Sequence, residues 1–432
     1  MNEVASRNFN LATVRQALVI LCQMATILFI VKSLGPNGLA EYTIALIGPN
    51  LFVLLLNLGM PSSSVYLINS RGLSFSSIFC VNAFMALALV PVGLAVANLI
   101  YDRFGIWIFG TDTISPQLIA LYSFPGLYIQ SLSLGLLQAR EKFSYINLLL
   151  ILQALAILAA IFFTIVCFSN TIEFALYIIN GVNTLVGIAS VYLVLRDETL
   201  KLNNLRLIKT LTHGVRYGIV AHTSNVITFL VYRVDILMIN KIAGPEAAGI
   251  YSIAIQIVER VWIVSNSLAL IWFPIFSKIR KRAREKIVAN ICSASVSITA
   301  LLYIFVMFIS APILLILFTN IISALLAVMV ILSPGIVLWA GARIICSGYA
   351  ASGKPVVNLI ASTVALVTNF AMNLVLIPAY GIYGGALASA LSYSITFALL
   401  YIHHRQISNV ALSRYMVIDG RIIVSFMSRF RK

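Results

Sequence analysis

Charge is scarce in this chain, and acidic charge most of all. Only 10% of the residues are charged, and 13 Asp and Glu stand against 29 Lys and Arg. A soluble globular domain usually carries about 25% charged residues, so the composition excludes an ordinary water-soluble enzyme or binding module. Cysteine is sparse too. Cys22, Cys80, Cys167, Cys292 and Cys346 lie singly inside apolar runs, without a CxxC or CxxH spacing. That excludes a disulfide framework and a zinc site of the usual spacing, and leaves the thiols as small apolar fillers. Nucleotide chemistry is also missing. "GYAASGKP" at 348–355 comes near a phosphate-binding loop, but Pro355 stands where Ser or Thr must hold magnesium, and no strand precedes it. No cofactor, metal or ATP-hydrolysis motif is visible, and no catalytic constellation suggests an enzyme. The N-terminus shows no short apolar run closed by small residues, so its first apolar segment reads as a retained span rather than a signal peptide.

What is abundant is apolar surface. Hydrophobic residues make up 61% of the 432, more than one folded core absorbs in water, so lipid is the expected solvent. A bilayer core about 30 Å thick needs about 20 apolar residues per helix. Twelve segments qualify: 12–33, 43–68, 76–100, 117–137, 144–168, 174–195, 216–242, 250–276, 287–309, 323–348, 356–378 and 383–403. Helices are expected because every backbone polar group must be satisfied internally. Pro49, Pro91, Pro125, Pro274 and Pro334 fall inside these runs and predict kinks.

With twelve spans both termini share one side, and the segments on that side hold 22 of the 29 basic residues. The opposite loops hold three, Lys32, Arg103 and Lys241. This is the positive-inside asymmetry, so both termini are expected in the cytoplasm. It accounts for the net charge of +16 without nucleic acid, and the run "KIRKRAREK" from Lys278 reads as a solvated loop. The tail "YMVIDGRIIVSFMSRFRK" from Tyr415 is too short and too charged to span, and reads as an interfacial amphipathic helix.

The chain also repeats itself. "ILFIVKSLGPNGLAEYTIAL" from Ile27 and "ILMINKIAGPEAAGIYSIAI" from Ile236 agree at nine of twenty positions, including Lys32/Lys241, Gly35/Gly244, Pro36/Pro245 and Tyr42/Tyr251. Each ends one span and turns through Gly-Pro into the next. The expectation is an all-α membrane protein of two pseudo-repeated six-helix bundles around a central cavity, as in transporters built from parallel repeats. The bundles would cover 1–195 and 216–404, with a cytoplasmic linker at 196–215 and a basic tail at 405–432.

Three stretches carry a family resemblance. "VKSLGPNGLAEYTIAL", "YRVDILMINKIAGPEAAGIYSIA" and "ASGKPVVNLIASTVALVTNFAMNLVLIPAYGIYGGALASALSY" resemble the first, the seventh, and the eleventh and twelfth helices of the Wzx polysaccharide flippases of the MATE-like superfamily. The resemblance implies a twelve-helix exporter of oligosaccharide units linked to undecaprenyl pyrophosphate, used for O-antigen or capsule in the bacterial inner membrane. It also implies membrane lipids, a polysaccharide polymerase and a chain-length regulator as partners. Drug exporters and lipid II flippases share the architecture and are the alternatives; the two extra helices common in lipid II flippases are not seen.

Charges inside the spans are the candidate site, because each costs roughly 2.5–3.5 kcal/mol at a helix centre. Arg15 and Arg343 fall near the cytoplasmic mouth, Arg260 near the midplane, and Arg233 in the outer third of its span. Guanidinium groups match phosphate oxygens in pairs and stay charged at any working pH. Arg260, Arg233, Arg343 and Arg15 are therefore the expected ligands of a pyrophosphate headgroup, and snorkelling or pairing with an acid is the competing reading. Asp235 and Glu259, the only acids in the spans, are the candidates for ion coupling or for balancing an arginine. His222 reads as a packed residue. Tyr101, Trp107, Tyr232, Trp262, Trp272 and Trp339 are expected to include interfacial anchors, with a sugar-stacking platform as the alternative.

Overall fold

The structure is a computed structural model that describes residues 3–69, 72–109, 115–167, 172–196, 198, 200–201, 205–408 and 410–416. Among these residues the secondary structure is helical throughout. All twelve apolar segments lie on helices, several of them in two pieces. Among the described residues nine helical stretches are long and apolar enough to cross a bilayer. The chain divides into two compact units, 1–226 and 227–432.

In the first unit, α1 (Glu3–Leu56) is two helices joined at Gly35, whose φ of 70° and ψ of −174° leave the helical region. At 1.5 Å per residue an unbroken 54-residue helix would reach ~80 Å, far more than a bilayer. A second break at Leu58 and Gly59, both with positive φ, leads into α2 (Met60–Asn69). Then come α3 (Phe75–Phe109), α4 (Ser115–Leu121), α5 (Phe124–Ala139), α6 (Phe143–Cys167), α7 (Ile172–Arg196) and α8 (Leu207–Val231). Polar glue runs through the interior. Gln153 of α6 bonds Gln130 of α5 at 2.7 Å and Asn183 of α7 at 2.9 Å. Asn183 donates to Ser123 at 3.1 Å, and Ser123 bonds Asn180. Without water, such amide ladders hold helices together where apolar contact alone gives little preference over lipid. The backbones of α5 and α7 also touch: a Cβ on Gly126 would fall 2.4 Å from the Asn183 carbonyl.

The second unit holds α9 (Val234–Ala243), α10 (Pro245–Val258), a 3-10 turn (Glu259–Trp262), α11 (Ile263–Lys278), α12 (Lys281–Leu317), α13 (Ile322–Ala351), α14 (Pro355–Ser408) and α15 (Ser413–Met416). Between α9 and α10, Gly244 has φ 91° and ψ 169°, the same excursion as Gly35, again followed by proline. The long α14 folds at Gly381, φ 55°. The outer face of α12 shows the lipid as solvent: Leu301, Ile304, Phe305 and Phe308 recur at helical spacing and stand exposed, Phe308 to 80%. The segment 348–351 ends α13 and 355 opens α14, so the near-match to a phosphate loop joins two helices.

Prolines do not set the breaks. Pro49, Pro91 and Pro334 lie inside continuous helices, and Pro125 sits in the first turn of α5, after the break at Tyr122–Ser123. At Pro334 the reason is visible. Ser333 Oγ donates at 2.8 Å to the carbonyl of Val330, the group the proline leaves without its usual donor.

At the end of α14 a polar knot holds the last described residues. His404 Nε2 meets Glu285 Oε2 of α12 at 2.7 Å, and its Nδ1 meets the Tyr415 hydroxyl at 2.5 Å. Ser408 Oγ lies 2.9 Å from the same hydroxyl, and Ser297 Oγ of α12 donates to the Met416 carbonyl at 3.3 Å. His404 and Tyr415 are buried. The tail expected to lie on the membrane surface begins here, and its residues beyond Met416 are outside those described.

Candidate functional site

Two helix interruptions in the second unit supply most of the site. The first parts α8 from α9 at Tyr232–Arg233, and the second is the 3-10 turn Glu259–Trp262 between α10 and α11. Arg233 lies 11 residues before Gly244 and Glu259 lies 15 after it, which puts them ~16 and ~22 Å from the shared turn. Arg233 Nη1 comes 3.7 Å from Glu259 Oε2. The same guanidinium donates to the Tyr232 carbonyl at 3.1 Å, so it also serves the interrupted backbone. Arg260 follows Glu259 directly. The Glu259 carboxylate lies within Coulombic range of Arg233, Arg260 and Arg343.

Arg343 comes from α13 into an aromatic box. Its Nη2 donates to the Tyr232 hydroxyl at 2.7 Å and its Nη1 donates to Asn266 Oδ1 of α11. Its guanidinium lies over the Trp262 ring, 4.6 Å from the centroid. Trp339 Nε1 donates to the same Tyr232 hydroxyl at 2.7 Å, and Trp262 Nε1 donates to the Ile336 carbonyl at 3.0 Å. Tyr393 of α14 closes the box, its ring centroid 4.9 Å from Trp339 and 5.9 Å from Trp262. Cation–π stacking at a desolvated position adds to what the charge would gain alone.

Asp235 keeps different company. It is fully buried, and its partners are neutral. Oδ1 accepts from the Ile236 N–H at 2.8 Å; Oδ2 accepts from Tyr251 at 2.6 Å and Ser389 at 3.0 Å. Behind Ser389, Asn369 Nδ2 donates to its Oγ at 3.1 Å, and Asn373 donates to Asn369 at 2.8 Å. All five side chains are buried, and they come from α9, α10 and both arms of α14.

Of the residues singled out in the sequence, Arg233, Arg260, Arg343 and Glu259 are therefore drawn together, and Asp235 stands apart with hydroxyl and amide groups. Arg15 belongs to the first unit, where its Nη1 donates to Asn147 Oδ1 of α6 at 3.1 Å. Gly35, Pro36, Gly244 and Pro245 form the two matched turns. Of the aromatics expected to include interfacial anchors, Tyr101, Trp262 and Trp339 are buried and Tyr232 is half-buried, whereas Trp107 is 70% exposed. Tyr251, Ser389, Asn369 and Asn373 had not been singled out as site residues. One signal was available for them. Asn369 and Asn373 are four apart in an apolar helix, hence on one face, and Tyr251 is one of the positions kept in the repeat.

The repeat does not extend to the charges of the candidate site. At the same offset of 209, Asp235 and Glu259 correspond to Thr26 and Asn50, and Arg233 and Arg260 to Met24 and Leu51. The second unit carries a charged arrangement on a backbone plan that the first unit fills with neutral groups.

The two units of broken helices define a multi-pass helical transporter fold, and the solved structures that share it agree. The chain is similar to the lipid II flippase MurJ in an inward closed conformation, with 15% identity, a TM-score of 0.71, and coverage of 94% of this chain and 88% of that one. It is also similar to a multidrug resistance MATE family transporter of the MOP superfamily, inward-facing, with 12% identity, a TM-score of 0.69, and coverage of 90% and 94%. A MOP superfamily transporter from Pyrococcus furiosus matches at 12% identity and a TM-score of 0.63, with coverage of 92% and 95%. No curated protein matches the sequence significantly. The chain belongs to the polysaccharide biosynthesis protein family, whose model matches residues 6–280. By family it is a polysaccharide biosynthesis protein, and by fold it shares the helical membrane architecture of these solved structures.

Proposed function

We propose that this protein is a flippase that carries an oligosaccharide unit linked to a polyprenyl pyrophosphate, of the O-antigen or capsule type, from the inner to the outer leaflet of the bacterial cytoplasmic membrane. The halves 1–195 and 216–404 work by alternating access, and both termini face the cytoplasm. The observation that carries the reading is the gathering of Arg233, Arg260 and Arg343 about the single carboxylate of Glu259, part-way through the bilayer. Guanidinium groups in excess over acid at that depth, on interrupted helices, suit a doubly charged phosphate ester. The same excess opposes a cationic drug as cargo. Arg15 supplies a further cation from the first half. The polyprenyl tail stays in the lipid.

In this reading Asp235 couples transport to an ion gradient. A buried carboxylate among neutral hydroxyl and amide oxygens suits the uptake and release of a proton or a small cation, a role shared by intramembrane acids in pumps and transporters. The polysaccharide polymerase and chain-length regulator of the same pathway are its expected partners. The test is complementation of a flippase-null strain, scored as surface polysaccharide per amount of membrane protein. Growth of polymer with the wild type, and its loss without a fall in protein level when the arginines are replaced, is the expected result. Polymer that is unaffected by the three arginine substitutions overturns the assignment.

A further inference from the structure

The Tyr232 hydroxyl has a proton to spare. Its oxygen receives two hydrogen bonds, from Arg343 Nη2 and from Trp339 Nε1, each at 2.7 Å. Guanidinium and indole N–H groups are donors only and accept nothing. The phenol oxygen therefore accepts twice, and its own O–H points toward neither partner. Among the described residues no acceptor takes that proton. The ring cannot swing to find one, because it is wedged against Trp262 at 5.2 Å, Trp339 at 5.9 Å and Tyr393 at 6.4 Å between centroids. Tyr232 also sits at the helix interruption beside Arg233 and is half-buried rather than sealed.

The groups facing Tyr232 decide what acceptor fits. They are Arg343 from α13, Glu259 from the 3-10 turn, Arg233 at its own interruption and Tyr393 from α14. Cations outnumber the one carboxylate, and that carboxylate lies 3.7 Å from Arg233. An oxygen bearing negative charge suits this field better than a neutral carbonyl or hydroxyl. We infer that Tyr232 is a substrate-binding residue that donates its hydroxyl proton to an anionic oxygen of the lipid headgroup, with Arg343 and Trp339 holding that hydroxyl in aim. The inference rests on the headgroup reading above, and adds a neutral donor to it. The donor adds directional recognition to that of the guanidinium forks, because a phenol O–H needs a lone pair at a set place.

The experiment uses the full chain in lipid nanodiscs, with undecaprenyl pyrophosphate as probe and undecaprenol as its neutral counterpart, read by native mass spectrometry. Tyr232→Phe keeps the ring in the box and removes the hydroxyl. It is expected to lower pyrophosphate affinity about tenfold or more while undecaprenol binding stays unchanged, in line with a hydrogen bond to a charged group. Because phenylalanine also takes an acceptor from Arg343, a second variant separates the two roles. Trifluorotyrosine installed at 232 carries a more acidic phenol than tyrosine, and its ionisation in the protein is followed by absorbance. If the hydroxyl donates to the substrate, affinity falls as the pH is raised through that ionisation, and the tyrosine protein shows no such fall. If the oxygen only accepts from Arg343, ionisation leaves affinity level or raises it. Wild-type affinity in Tyr232→Phe, or a level or rising profile for the fluorinated chain, overturns the donor role alone. Equal binding of undecaprenol and undecaprenyl pyrophosphate by the wild type overturns the headgroup reading, and the donor role with it.

Discussion

Arg260 is the side chain on which the two readings of the cluster diverge most. Its neighbour Glu259 is the one carboxylate within reach of three guanidinium groups. If Arg260 serves the substrate, Arg260→Ala lowers transport at least tenfold while the protein still accumulates, and Arg260→Lys restores only part, since lysine keeps the charge without the fork. If it only balances Glu259, Arg260→Ala lowers the protein level instead, and the double change with Glu259→Gln recovers level and activity together. Surface polysaccharide per membrane protein separates the two, and full activity in the double variant ends the substrate role. Asp235 is tested differently. Asp235→Asn keeps the shape of the network with Tyr251 and Ser389 but cannot take up and release a proton or a charge. Transport in vesicles is then expected to lose its dependence on the driving ion gradient; an unchanged dependence in both Asp235→Asn and Glu259→Gln makes the acids structural.

The elements of this molecule end where the backbone requires it, and glycine is the residue that requires it most. Gly35 and Gly244 hold φ of 70° and 91° with open space where a side chain would stand. The cost of alanine there is conformational, about 1–2 kcal/mol at each turn. Gly244→Ala is expected to lower the melting temperature of the purified protein by a few degrees, and Gly181→Ala, which has the same open space on a regular helix, is not. No difference between the two removes the backbone argument. The end of α14 offers a second measurement. Tyr415→Phe leaves His404 Nδ1 and Ser408 without their shared partner, which costs about 1–3 kcal/mol for a buried polar group. Protease cleavage near 410 is expected to become faster.

At this level one can see how much was written in the sequence. The helices were legible because span length is fixed by bilayer thickness, and the Gly-Pro turns because they recur. Pro334 lies inside a continuous helix, where Ser333 supplies the bond the ladder lacks through a contact that no proline count reveals. Charged residues were visible as exceptions in apolar runs. Their partners were not, because Arg343, Asn266 and Tyr232 are brought together by packing across 111 residues of chain. The surroundings of Trp262 and Trp339 were hidden for a related reason: an amphipathic ring reads the same at a membrane interface and beside an arginine of the interior.

For the molecule as a whole, orientation is the property that can be checked most directly. In a cysteine-free background, single cysteines at Asn37 and Glu246, both exposed just beyond the matched turns, are expected to react from outside intact cells with an impermeant thiol reagent. Protection of both until the membrane is permeabilised reverses the orientation, and reaction of only one of the two removes the parallel arrangement of the halves.

The interruption at Tyr232–Arg233 also bears on how the chain is made. Neither α8 nor α9 is among the nine stretches apolar and long enough to cross a bilayer unaided. Arg233 and Asp235 together cost roughly 5–7 kcal/mol at the centre of a span. This segment is therefore a poor client of the insertion machinery when it emerges alone from the ribosome. Its stable insertion is expected to depend on Glu259, Trp262 and Trp339, which receive its side chains in the folded protein. Fused singly into a host protein, residues 207–243 are expected to pass through into the lumen rather than stop in the membrane, and residues 207–351 are expected to stop. The second half is thus expected to settle out of chain order, with its most chemically loaded helix last.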